Sequence, residues 1–136
     1  MAKKALNSYR KISVETATPI RRVIMVYDGI IKFLEYAFTR CNKPNLETED
    51  YEKINNSLLK AEALITELKL GLDFTVEGEI ANTLNELYTF WIAQISTANQ
   101  EKKPEKIKEV VELVIDLRDG WLEAEKSLKA VPVNSQ

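Results

Sequence analysis

Apolar residues recur at intervals of three and four along most of the chain, which is the spacing that places side chains on one face of an α-helix. Four such stretches are separated by polar segments, and no alternating pattern indicates a strand. Each stretch therefore predicts one amphipathic helix with a buried face. The positions predicted to face inward are Val23, Ile24, Tyr27, Ile30, Ile31, Leu34 and Phe38 in the first stretch, Ile54, Leu58, Ala61, Ile65, Leu68 and Leu72 in the second, Ile80, Leu84, Leu87, Tyr88, Trp91 and Ile95 in the third, and Ile107, Val110, Val111, Val114, Leu117, Trp121 and Leu128 in the fourth.

Capping residues and prolines mark the ends of these helices. Thr18 can accept a hydrogen bond from a free amide, and Pro19 loses no hydrogen bond at the first helical position, so the first helix should begin there. It should end near Cys41 and be followed by a polar loop from Asn42 to Asp50. Pro104 can open the fourth helix in the same way.

We predict an all-α fold, an antiparallel up-down four-helix bundle, because helices of this length joined by short loops pack most simply in that way. The 136 residues fit one domain, with the bundle over residues 18–129 and a polar tail over residues 130–136. The N-terminal segment, residues 1–17, contains too few apolar residues to form a stable independent helix. It should dock on the bundle through its apolar side chains, which are Leu6, Tyr9, Ile12 and Val14.

The predicted helices carry more apolar surface than a four-helix core can bury. In the second helix, three apolar residues form a stripe on the side opposite Ile54 and Ile65, and the apolar arc of the third helix is also wide. The N-terminal segment, a second subunit or a partner helix could cover this surface, and an ordinary scatter of surface leucines is the other interpretation. The residues expected to bind a partner are Leu59, Ala63 and Leu70 of that stripe, Phe90 and Ile92 of the third helix, and Tyr9 and Ile12 of the N-terminal segment.

Composition argues against several classes of function. Histidine is absent, which removes the usual base at neutral pH and the usual transition-metal ligand. Cys41 is the only cysteine, so neither an internal disulfide nor a thiolate cluster for zinc can form. The net charge of −2 argues against nucleic acid as a partner. We therefore expect no catalytic residues, no cofactor and no metal.

The N-terminus and the length of the apolar segments indicate where in the cell the protein is found. The N-terminus lacks the apolar core of a signal peptide, and no segment approaches the roughly 18 apolar residues that a membrane span requires. We therefore expect a cytoplasmic protein that does not insert into the membrane.

Short motifs occur in a fixed order along the chain. They are Tyr9, Val14–Pro19, Met25–Gly29, Ala61–Leu68, Gly71–Asp73, Gly78–Ala81 leading to Leu84 and Leu87–Tyr88, Ala98–Asn99, and Leu117–Trp121. Each motif is weak alone, but in this order they resemble the FliS family of flagellar export chaperones. The departures from the family pattern are Arg22 at a frequently apolar position, Glu77 in place of a glycine, Thr83 in place of an asparagine, and Gly120 in place of an alanine.

The resemblance implies a four-helix chaperone without ATPase activity. Such a chaperone binds the C-terminal helical region of flagellin, prevents premature polymerisation and delivers flagellin to the type III export apparatus through the export gate protein FlhA. The resemblance also implies that the N-terminal segment covers part of the binding groove when flagellin is absent. An alternative from the residues alone is a structural or regulatory bundle whose surplus apolar surface closes a homodimer, although a monomer fits the chaperone better.

Overall fold

The computed structural model describes residues 18–76 and 78–130, which form four α-helices. The helices are α1 (Pro19–Cys41), α2 (Thr48–Leu70), α3 (Glu79–Glu101) and α4 (Pro104–Ala130). The predicted start of α1 is confirmed: the Thr18 hydroxyl oxygen accepts a hydrogen bond from the Arg21 backbone N–H at 3.2 Å. The predicted docking through Tyr9 and Ile12 lies outside the described residues and stays a prediction.

The four helices are arranged in a ring. Each helix packs against the next one along the chain, and α4 packs back against α1. Contacts between the helix ends give their directions, because Arg21 in the first turns of α1 pairs with Glu125 near the end of α4. The Asn99 amide near the end of α3 donates to Asn55 near the start of α2 at 2.8 Å. These contacts confirm the predicted antiparallel bundle.

The core contains the apolar faces that the helical spacing predicted, and large aromatic rings fill one part of it. Tyr27, Tyr88 and Trp91 are almost completely buried, and the partly buried Trp121 packs against them. The ring of Tyr27 meets Trp91 and Trp121 edge-on, with centroids 6.1 and 6.3 Å apart. Edge-to-face packing of this kind adds stabilisation beyond the burial of apolar area.

Two residues predicted to face the core are exposed instead. Ile80 is 66% exposed in the first turn of α3, and Leu128 is 62% exposed in the last turns of α4. Helical spacing gives the direction of a side chain but not the distance to which a neighbouring helix extends. Since α1 begins only two residues before Arg21, which contacts Glu125, the turn that carries Leu128 extends past the start of α1.

The loop before α2 is shorter than predicted, because the helix begins at Thr48 and not after Asp50. The buried Asp50 carboxylate accepts the Glu47 backbone N–H at 3.0 Å, which satisfies a donor just before the first turn of the helix. It also accepts Arg40 at 2.9 Å and Lys43 at 3.0 Å. These donors lower the pKa of Asp50 to about 2. Asp50 thus joins the end of α1 to the start of α2.

Candidate functional site

The apolar stripe predicted on α2 lies on the surface of the bundle. Leu59 is 49% exposed and Leu70 is 82% exposed, and Ala63 between them is exposed as well. On the opposite side of the same helix, Ile54 and Ile65 are fully buried. A single exposed leucine needs no explanation, but three aligned apolar positions form a strip onto which another apolar helix can pack.

The two candidates on α3 face different neighbours. Phe90 is half-exposed and lines a depression between α3 and α4 together with Leu113. Ile92 is partly buried and packs against the core. It lies two turns before Asn99, whose amide contacts α2, so its position is on the α2 side of α3. The structure therefore does not bring Phe90 and Ile92 into one groove.

A third apolar region was not predicted from the sequence. At the end of the bundle where α1 begins and α4 ends, a cavity of about 400 Å³ is lined by side chains from all four helices. Apolar residues make up most of its lining, among them Val23, Val26, Leu68, Tyr88 and Trp121. All of these except Val26 were predicted to be ordinary core positions, and only the packing of the four helices shows that they leave a space.

Two buried tyrosines lie at this cavity, and one of them, Tyr88, lines it. The hydroxyl groups of Tyr27 and Tyr88 are 2.7 Å apart and share a hydrogen bond. Burial raises the pKa of the Tyr27 phenol, so it remains protonated at neutral pH. At the opposite end of the bundle, where α1 ends, burial raises the pKa of the Cys41 thiol, which donates to the Lys102 carbonyl oxygen at 3.2 Å. These groups are suited to packing and hydrogen bonding.

Residues 18–76 and 78–130 contain no cluster of acidic or cysteine side chains that could hold a metal ion. None of the helices described is both long enough and apolar enough to cross a membrane. The α2 stripe, the Phe90 depression and the end cavity are apolar surface features that suit the binding of apolar helical segments.

Comparison with known proteins identifies the family. The model of the family described as flagellar protein FliS matches residues 1–128. The flagellar secretion chaperone FliS of Bacillus subtilis (strain 168) is 31% identical over 120 residues, which cover 88% of this chain and 85% of that protein. The flagellar secretion chaperone FliS of Salmonella typhimurium is 32% identical over 121 residues, covering 85% of this chain and 86% of that protein.

A solved structure agrees with the fold. The crystal structure of a flagellar chaperone from bacteria superposes with a TM-score of 0.72 at 24% identity, covering 93% of this chain and 99% of that one. At 24% identity this structural similarity supports the fold alone, and the sequence matches establish the family. This chain belongs to the FliS family of flagellar secretion chaperones, which are not enzymes.

Proposed function

We propose that this chain is a cytoplasmic chaperone that binds the C-terminal helical region of flagellin, prevents its premature polymerisation and delivers it to the flagellar type III export apparatus. Membership of the FliS family carries this proposal. The exposed side chains of Leu59 and Leu70 support the mode of binding, because they are apolar, aligned on one helix and not used by the core.

The positions of the apolar regions bear on the shape of the bound segment. The α2 stripe around Leu59 and the depression around Phe90 lie on different sides of the bundle, and the end cavity lies at one end of it. One straight helix cannot reach all three regions. Flagellin would therefore bind as two or more short segments that bend around the bundle, and this arrangement also keeps it from adopting its polymerised form.

The N-terminal segment and the export gate also take part in this function. Tyr9 and Ile12 cover part of the apolar surface while flagellin is absent, and the loaded chaperone then docks on the export gate protein FlhA. The chaperone acts as a monomer. A homodimer that buried Leu59 and Leu70 would occupy the stripe that flagellin needs, so the two modes of association exclude each other.

Calorimetry with a C-terminal flagellin peptide and with full-length flagellin tests the proposal. We expect a one-to-one complex with both, because the peptide contains the apolar segments that bind. If neither molecule binds, the proposal is wrong. Sedimentation at several protein concentrations tests the alternative, since a stable dimer that is weakened by polar substitution of Leu59 and Leu70 would indicate self-association in place of chaperone activity.

A further inference from the structure

The outer surface between α1 and α2 holds a separate cavity of about 360 Å³. Phe33 lines it, with a ring that is partly buried against the core. The Ser57 hydroxyl donates to the Phe33 carbonyl oxygen at 2.7 Å, which satisfies the hydroxyl and joins the two helices at this point. Tyr36, which is 45% exposed, presents its aromatic ring beside them. The cavity thus presents aromatic surface between two helices that are held together by a hydrogen bond.

Positive charge surrounds this aromatic surface. Lys32, Lys53 and Lys60 line the cavity, and no described carboxylate lines it. The Lys60 ammonium lies 5.6 Å from the centroid of the Phe33 ring. Lys53 pairs with Glu49 at 2.6 Å, but both side chains are well exposed, so another carboxylate can replace Glu49 at little cost. Within the described residues, Lys32 and Lys60 form no ion pair.

The positive charge is local, because the chain as a whole has a net charge of −2. Carboxylates recur along α4 at intervals of three and four, and Glu109 among them contacts Gln94 of α3, so this acidic face adjoins α3. The carboxylates of this face are Glu105, Glu109, Glu112, Asp116, Asp119 and Glu123. A long polyanion such as nucleic acid would be repelled by them, whereas a short acidic segment at the α1–α2 cavity would not reach them.

We propose that the cavity between α1 and α2 binds an acidic peptide segment of a partner protein. Carboxylates of the segment pair with Lys32, Lys53 and Lys60, and an aromatic side chain packs against Phe33 and Tyr36. A single exposed ion pair contributes little, so the three lysines act together around the aromatic anchor. None of the residues that line this cavity belongs to the α2 stripe or to the Phe90 depression, so the proposed segment binds residues that the flagellin proposal does not use.

Fluorescence anisotropy with a short synthetic peptide, in which glutamates flank one tyrosine, tests the proposal on the full-length protein. We expect saturable binding that weakens as salt is added, since exposed ion pairs are screened. The double variant Lys32→Gln with Lys60→Gln should bind about tenfold more weakly, because it loses two charge-assisted contacts. Tyr36→Ser should weaken binding of this peptide but not of a version with alanine in place of tyrosine.

The matched control is Lys108→Gln with Lys126→Gln, which removes two exposed lysines from α4 and should leave binding unchanged. Amide shifts in NMR spectra of the complex should centre on residues 32–36 and 53–60. The site is refuted if the peptide does not bind, if both lysine pairs have equal effects, or if the shifts centre elsewhere. Tighter binding of an oligothymidine of equal charge would show that the surface recognises nucleic acid and would also overturn the proposal.

Discussion

The phenol oxygens of Tyr27 in α1 and Tyr88 in α3 lie 2.7 Å apart in the interior of the bundle. The two helices occupy diagonal positions in the ring, so this hydrogen bond crosses the core. Tyr88 also lines the end cavity, and Trp121, which lines the same cavity, packs edge-on against Tyr27. The pair of hydroxyl groups therefore holds part of the cavity wall in position.

The effects on stability of removing the two hydroxyl groups should not be additive. Tyr27→Phe or Tyr88→Phe alone leaves a buried hydroxyl without this partner, and we expect a loss of about 1–3 kcal/mol in the free energy of unfolding. The double variant should lose less than the sum of the two single losses. Urea denaturation measures all three, with Tyr51→Phe, at a half-exposed ring, as a control that should change little. Additive losses would mean that the two hydroxyl groups act independently.

Two glycines within helices should respond differently to alanine. A Cβ atom at Gly29 in α1 would lie 3.0 Å from Leu64 Cδ1 in α2, whereas one at Gly120 in α4 would meet nothing within 4 Å. Alanine is favoured over glycine in a helix interior by about 1 kcal/mol, so Gly120→Ala should raise the free energy of unfolding by roughly that amount. Gly29→Ala should raise the free energy of unfolding by less, because the Leu64 side chain must move to make room for the new methyl group. Thermal and urea denaturation compare the two, and an equal gain at both positions would show that α1 and α2 are not in close contact at Gly29.

The sequence predicted the helices well where their ends carry local signals. Pro19 and Pro104 open α1 and α4 as expected, because the fixed backbone angle of proline suits the first helical turn. The start of α2 was missed although it has a signal as well: Glu47 and Asp50 have the spacing of a capping box, which in a polar stretch resembles a loop. Ile80 was misassigned because spacing does not show where the neighbouring helices end.

The candidate site was less predictable because it depends on how the helices meet. The exposure of Leu59 and Leu70 follows from projecting a single helix, so the sequence sufficed there. The end cavity needs side chains from four helices, and the α1–α2 cavity needs Tyr36 and Lys60 side by side. No pattern within one helix contains that information.

Asp50 should make stability depend on pH in the acidic range. Its pKa in the folded protein is about 2, below the ordinary value of 3.8, because the Glu47 backbone N–H, Lys43 and Arg40 stabilise the carboxylate. A carboxylate whose pKa is lowered by folding contributes stability above about pH 4, and this contribution is lost as the pH falls towards 2. Asp50→Asn should therefore have a lower melting temperature than the wild type at pH 7, with the difference shrinking between pH 4 and pH 2.

Melting curves followed by circular dichroism at a series of pH values measure this difference. Glu52→Gln is the control, since Glu52 is exposed in the same helix and should leave the pH profile unchanged. A difference between Asp50→Asn and the wild type that stayed constant down to pH 2 would contradict the assigned role of Asp50.

Substitutions on α2 should separate partner binding from stability. Leu59→Ser with Leu70→Ser changes two exposed side chains, so we expect the free energy of unfolding to change by less than about 1 kcal/mol. The affinity for the C-terminal flagellin peptide should fall about tenfold or more, because apolar anchors contribute much of the energy of an interface. Leu58→Ala, at a fully buried neighbour, should instead cost about 2–5 kcal/mol of stability.

Calorimetry of the peptide complex and urea denaturation of the free proteins measure the two effects separately. Leu128→Ser is the matched control, because it removes an exposed leucine from the end of α4 and not from the α2 stripe. It should leave both quantities unchanged. Normal flagellin affinity in the Leu59 and Leu70 variant would exclude the stripe as the binding surface, and the Phe90 depression and the end cavity would then be the regions that hold the partner.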